Sequence, residues 1–312
     1  VTRRVKLNRY DGNPILKPTR RWWETKWVYN TAAVWDQDRV KMLYRARGED
    51  YLSRFGYAES RDGFTIDFRS ELPVFDADPE NPYERLGVED PRITKIGDSF
   101  YVVYIAISLY PSYDQVPAFN LSDGPPWRAR AAMATTRDFT SFERAGIILE
   151  DEDQKDAMLF PEKIGGRFVL LHRRYPDACI AYSTDLKNWE DHTVILTPRK
   201  GSWESGRVGG GAPPIRTEKG WLEFYHAADR DFVYRIGAML LDLNDPTRIV
   251  AKLDHPLLEP ETEYEKGGLV PNVVFSCGVV EKEGRYLVYY GGADSVIGVA
   301  TVDKEDLLNA LS

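Results

Sequence analysis

The 312-residue chain is poor in several residue types and patterns. Its two cysteines, Cys179 and Cys277, lie far apart, and its four histidines are dispersed. Neither set has metal-ligand spacing, so a disulfide framework and a zinc-type centre are both disfavoured, and the thiols are expected to be buried and inert. No run of 18 apolar residues occurs, and the opening "VTRRVKLNRYDGNPILKP" contains no long apolar segment. A membrane-spanning helix is therefore not expected. The chain as given reads as soluble and cytoplasmic, although a secreted form trimmed of its signal would look the same.

Basic runs are missing too. With a formal net charge of -8, the chain offers no footprint for a phosphate backbone and does not read as a nucleic-acid binder. Its positive charge gathers instead in short clusters, "YRARGED", "WRARAA" and "LHRRY". Such clusters suit small anionic or polyhydroxylated ligands. Hydrophobic residues make up 43% of the chain, enough for a sizeable core.

What is present is repetition. An aromatic, apolar run recurs as "KMLYRA" (41–46), "FYVVYIA" (100–106), "RFVLLHRR" (167–174), "WLEFYHAA" (221–228) and "RYLVYYGGA" (285–293). After each comes a second strand-like segment of small and apolar residues leading to an Asp and a turn, as in "AMATTRDF" and "IAYSTDLKNW". Ahead of each lies another short segment, such as "VYNTAAVW", "EDPRITKI" or "AMLFPEKI", joined to the aromatic run in four of the five units by a tight turn such as "GDS" or "KEG". A fourth segment is marked by "NPILKP", "LPVFDAD", "GIILED", "VILTP" and "HPLLEP". Four short strands in each of five units predict an all-β protein, a single five-bladed β-propeller over 1–312. A pair of β-sandwiches would give no reason for the fivefold count.

In a propeller the inner strands surround the axis, so polar residues at their entrances converge. Those residues are Asn30, Glu89 with Asp90, Lys155 with Asp156, Arg207 and Asn272; the far ends of the aromatic strands add Arg45, His172, His226 and Asp294. The heptapeptide "GVEDPRI" (87–93) can be a turn with an exposed salt bridge to Arg92 or can aim an acid at the axis. Recurrence at equivalent blade positions favours the second reading.

Four motifs in order, "GVEDPRIT", "KDAMLFPEKIGGRFVLLHR", "WESGRVGGGAPPI" and "WLEFYH", resemble those of glycoside hydrolase family 130, and the likeness runs from "NPILKP" to "GGADSVIGVAT". The resemblance implies a five-bladed propeller that acts on β-mannosides with inversion, mostly by phosphorolysis and in some branches by hydrolysis. It implies that Asp90 is the general acid, protonating the leaving oxygen through a hydroxyl of the mannosyl unit. It implies that Asn30, Arg45 and Asp294 hold the mannose. Arg130, Lys155, Arg207 and His226 fall at positions associated with phosphate, with Tyr234 nearby. Glu162, within a matched motif, and His172, at a strand end, join the candidate substrate-binding residues.

Two departures stand out. Relatives often read Asp and Lys where this chain has Glu204 and Arg207. The segment "LYPSYDQVPAFNLSDGPPW" (109–127) is longer than expected and reads as a loop shaping the entrance, with Phe119 or Trp127 available to stack on a sugar.

An inverting hydrolase needs a second carboxylate to activate water, whereas phosphate arrives anionic and needs cations. The cationic set favours phosphorolysis of short β-manno-oligosaccharides or mannosyl disaccharides to mannose 1-phosphate. No cofactor or metal is required, inorganic phosphate being the co-substrate. The alternatives are hydrolysis with Glu162 or Glu204 as the base, and a non-catalytic glycan-binding propeller. Interblade ion pairing is the competing account of the arginines, and a homo-oligomer is compatible with this reading.

Overall fold

The computed structural model describes residues 4–116, 126–149 and 152–312, and these form five antiparallel sheets arranged as a five-bladed β-propeller. The first blade contains Trp27–Asp36, Arg39–Arg47, Ser53–Ser60 and Phe68–Arg69. The second contains Val88–Ile96, Ser99–Leu109, Trp127–Thr136 and Glu143–Leu149. The third contains Lys155–Leu159, Phe168–Arg174, Asp177–Ser183 and Glu190–Leu196. In the fourth, Arg207–Gly210 and Ile215–Thr217 share the edge of Gly220–Ala228, followed by Tyr234–Leu241 and Ile249–Lys252. The fifth contains Val274–Lys282, Arg285–Gly292 and Val296–Asp303, and Asn8–Arg9 completes it by pairing with Ala300 and Thr301. The N-terminal segment thus closes the ring, a long-range pairing that the repeat pattern did not announce.

The aromatic runs are continuous rather than alternating because each blade is packed between two neighbours and its middle strands are buried on both faces. Successive side chains point to opposite faces. Met42 and Tyr44 therefore pack with Leu287 and Tyr289 of the fifth blade, while Leu43 packs with Val102 and Tyr104 of the second. Val103 and Ile105 turn to Leu159 and Leu170 of the third blade, and Trp221 and Tyr225 meet Met158 and Val169. Leu222 and Phe224 complete the circle against Val288 and Tyr290. Among the described residues the core is five large apolar layers, one in each gap between blades, with a small separate cluster of Val273, Phe275 and Cys277. Cys179 and Cys277 are both buried free thiols.

The expected fourth segments need correction. Leu16, Phe75 and Leu258 of "NPILKP", "LPVFDAD" and "HPLLEP" make single bridges to Ile297, Phe55 and Ile236, while the outer strands of the fifth, first and fourth blades lie earlier in the chain. No helix among the described residues is long and apolar enough to cross a membrane.

Candidate active site

Three inner strands share one local device. The ladder skips a residue at Asn30 in the first blade, at Asp90 with Pro91 in the second, and at Asp156 with Ala157 in the third. Asn30, Asp90 and Asp156 sit at φ of 48°, 51° and 60°. Bulges re-aim side chains, and Asn and Asp tolerate the left-handed region better than other non-glycine residues. This explains why "YNTA", "EDPR" and "KDAM" carry a short polar residue where a strand enters the core. Asp294 (φ 50°) reaches the same space from the turn between the last two long strands of the fifth blade.

These residues line a cavity of about 590 Å³, within the usual range for a small-ligand pocket. All five blades contribute: Asn30 and Arg45 from the first, Glu89 and Asp90 from the second, Lys155 and Asp156 from the third, Arg207 and Tyr234 from the fourth, Asp294 from the fifth. Asp90 Oδ1 accepts from Asn30 Nδ2 at 2.8 Å and from Arg45 Nη1 at 3.1 Å. Arg45 also pairs with Glu89, donates to Ser53 Oγ at 3.0 Å and lies 4.5 Å over the Tyr29 ring. Lys155 Nζ reaches the other Glu89 oxygen at 3.2 Å. Burial pushes the Asp90 carboxyl up, but Arg45, Lys155, Arg92 and the Asn30 hydrogen bond together hold it below the usual carboxylate range. Asp294 goes the other way: burial outweighs Arg45 and pushes it up to about 7. Two acids in one cavity are thus set apart by their surroundings.

Beneath this layer, Arg92 is fully buried rather than part of an exposed salt bridge. Its guanidinium donates to the carbonyls of Asp90, Gly210 and Gly211 and to Asp156 Oδ1 at 3.2 Å, pinning the second blade to the third and fourth. Asp156 also pairs with Arg173 at 2.8 Å and lies 3.3 Å from His226 Nε2. A Cβ at Gly209 would stand 2.3 Å from Asp156 Oδ2, so this cluster needs glycine there. Together these contacts hold the Asp156 carboxyl far below its ordinary range, against the upward push of burial.

Arg207 is different. Its guanidinium is in no ion pair among the described residues and sits among the rings of Phe232, Tyr234 and Tyr175 at 5.0, 5.8 and 5.5 Å. Arg47 likewise has no carboxylate partner among the described residues, and its Nε donates to the Tyr51 carbonyl at 2.9 Å. The interblade-pairing account therefore describes Arg92 and part of the role of Arg45, and does not describe Arg207.

Several expected site residues lie elsewhere. Glu162 is exposed on the turn before the second strand of its blade and pairs with Arg216 at 2.9 Å. Glu204 is buried outside the cavity, accepting from Tyr225 Oη at 2.8 Å and from Lys252 Nζ at 2.5 Å. Arg130 stands behind the wall, its Nη1 2.5 Å from Asp153, which does line the cavity. His226 is buried against Phe275, with ring centroids 4.2 Å apart, and burial keeps its pKa low in spite of Asp156. His172 is also fully buried, 3.1 Å behind Gln154. Asn272 is exposed, its carbonyl accepting from Tyr234 N at 3.0 Å. Trp127 lines the cavity, whereas Phe119 lies outside the described residues. Arg173, Asp153 and Gln154 were missed. Arg173 had a signal in the "LHRRY" cluster; the other two had none beyond adjacency to Lys155.

The family model described as beta-1,4-mannooligosaccharide phosphorylase matches residues 6–312. The chain is 46% identical to the 1,2-beta-oligomannan phosphorylase of Thermoanaerobacter sp. (strain X514), over 97% of this chain and 99% of that one. It is 42% identical to the beta-1,2-mannobiose phosphorylase of the same organism, over 96% and 98%. The solved structure of a beta-1,2-mannobiose phosphorylase from Listeria innocua in complex with beta-1,2-mannobiose superposes with a TM-score of 0.83 at 31% identity, covering 98% of this chain and 99% of that one. A match over nearly the whole length, on a propeller whose inner bulges carry the motif acids, leaves one assignment: the chain belongs to glycoside hydrolase family 130.

Proposed function

We propose that this protein is a β-mannoside phosphorylase that transfers the mannosyl unit of a short β-1,2-linked manno-oligosaccharide to inorganic phosphate, with inversion, in the cytoplasm. The observation that carries the reading is the charge arrangement of one cavity. Asp90 is paired on one side, and Arg207 lines the same space without a carboxylate partner among the described residues. Both candidate bases for water, Glu162 and Glu204, are engaged elsewhere. The β-1,2 linkage follows the names of the two relatives at 46% and 42% identity.

Roles follow from chemistry. Asn30, Arg45 and Asp294 hold the mannosyl unit; Lys155 and Arg207, with Tyr234 beside them, receive phosphate by charge-assisted hydrogen bonds. Arg130 and His226 act through Asp153 and Asp156 rather than by touching phosphate. Asp90 supplies the proton to the leaving oxygen through a sugar hydroxyl. In the free protein its cationic neighbours keep it ionised. A bound phosphate dianion beside Lys155 cancels part of that field, so co-substrate binding raises the proton affinity that the acid step requires. Attack from the opposite face of the ring turns a β-mannoside into α-mannose 1-phosphate.

Incubating β-1,2-mannobiose with the protein, with and without phosphate, tests the reading. Mannose 1-phosphate formed only when phosphate is present supports it; free mannose released at an undiminished rate without phosphate makes the protein a hydrolase. Sugar binding without turnover in either buffer makes it a binding module.

A further inference from the structure

Gln154 lies in the cavity wall, 1% exposed, and one end of its carboxamide has no hydrogen-bond partner among the described residues. The other end faces His172 Nδ1 at 3.1 Å; His172 Nε2 faces His192 Nδ1 at 3.0 Å; and His192 Nε2 faces the Trp189 carbonyl at 3.3 Å. The two rings stand perpendicular, with centroids 5.0 Å apart. This chain of contacts runs from the partly exposed outer strand of the third blade to the cavity.

Its directions are determined by its far end. A carbonyl can only accept, so His192 Nε2 must carry hydrogen. Burial, with His192 and Arg174 beside it, pushes the His172 pKa down to about 3, and burial with Arg174 lowers that of His192, so both rings are neutral near pH 7. His192 Nδ1 then holds a lone pair, His172 Nε2 must donate to it, and His172 Nδ1 is left as an acceptor. The group facing His172 Nδ1 must donate, and in Gln154 that is the amide NH₂. The two ends of a carboxamide have nearly the same shape, so the network rather than the outline assigns them.

We propose that Gln154 contacts the sugar, presenting its carbonyl oxygen to a hydroxyl of the bound mannoside, and that His172 and His192 are positioning residues that lock this orientation. An oxygen at that point accepts from a hydroxyl and repels an ionised phosphate oxygen, so the contact belongs to the sugar and not to the co-substrate. His172, expected from the sequence to touch substrate, acts through Gln154.

The inference rests on the reading of the cavity as a mannoside site, but one arm of its test does not. Nitrogen-15 NMR of the histidine-labelled protein near pH 7, assigned by single histidine substitutions, reads the tautomers directly. Both His172 and His192 are expected as the Nε2–H form. A proton on His172 Nδ1, or a doubly protonated His192, overturns the proposal whether or not the protein turns over mannosides. In the second arm, Gln154→Met keeps the length and removes the acceptor. It should raise the KM for β-1,2-mannobiose about 2- to 12-fold and leave the phosphate KM unchanged. His192→Leu should do the same more weakly, and His192→Asn, whose side-chain oxygen overlays Nδ1, should restore the parent value. A rise in phosphate KM, or no change in the sugar KM of a folded Gln154→Met protein, overturns the contact. If that variant does not fold, the tautomer measurement still decides.

Discussion

Replacing Arg207 by Ala separates a phosphate site from an ion-pair scaffold more sharply than any other single change. The guanidinium is half-buried, is in no ion pair among the described residues, and touches the protein through the Phe232, Tyr234 and Tyr175 rings at 5.0–5.8 Å. Losing cation–π contacts at so open a site costs about 0.5–1 kcal/mol of stability. Losing a charge-assisted contact to phosphate costs about 1.5–3 kcal/mol of binding, or about 10- to 150-fold in affinity. Arg130→Ala is the internal contrast, because Arg130 and Asp153 pair at 2.5 Å with side chains only 9% and 8% exposed. Breaking that buried pair should cost about 3–5 kcal/mol of stability. Initial rates with phosphate and mannobiose varied in turn, alongside thermal melting, give both quantities. Arg207→Ala should raise the phosphate KM with a nearly unchanged Tm, and Arg130→Ala should lower Tm. An Arg207→Ala protein that melts early but keeps its phosphate KM refutes the reasoning.

Other outcomes follow from the same geometry. Asp90→Asn keeps the acceptor oxygen for Asn30 and Arg45 but deletes the transferable proton, so turnover should fall about 100- to 10,000-fold while calorimetry still detects mannobiose binding; a fully active variant places the acid elsewhere. Arg92→Met should lower stability by about 3–5 kcal/mol, because Asp156 loses one cation and the Asp90, Gly210 and Gly211 carbonyls lose their donor; chemical denaturation with an unchanged midpoint contradicts the pinning role. Glu162→Gln should leave kinetics and Tm unaltered, since Glu162 is an exposed partner of Arg216; a loss of activity would reinstate it as a base. The raised Asp294 pKa means that the folded state holds its proton more tightly than the unfolded chain does, so stability falls as pH rises from about 4, the ordinary Asp value, to about 7. Asp294→Asn should therefore gain stability over the parent across that window, by no more than about 4 kcal/mol at its top; a gain that does not grow with pH shows that Asp294 titrates normally.

The fivefold plan was legible because burial on both faces of the middle strands leaves long aromatic runs, and nothing but stacked repeats explains five of them. The inner-strand acids were legible as a position but not as a geometry. "EDPR" suggested an axial acid, yet the bulge that turns Asp90 inward appears only in the ladder, where the register skips from Glu89 to Arg92. A one-residue irregularity changes which face every later side chain meets. That is why Arg92, which a simple turn would leave as the exposed partner of an acid, is instead its buried support. His172, His226 and Arg130 were placed correctly along their strands, but each stands one layer behind a residue that reaches the cavity: Gln154, Asp156 and Asp153. Glu162 and Glu204 were ambiguous because sequence distance from a motif does not reveal which end of a blade a turn occupies. The ring closure by Asn8–Arg9 depends on partners almost three hundred residues away, beyond any local pattern.

The central claim is that phosphate, not water, takes the mannosyl unit, and the measurement that meets it most directly is the identity of the first product formed from β-1,2-mannobiose in phosphate buffer, followed by proton and phosphorus-31 NMR. One equivalent each of α-mannose 1-phosphate and free mannose is the result predicted. Two equivalents of mannose with no phosphorus-containing sugar, or a β-configured phosphate, would contradict it.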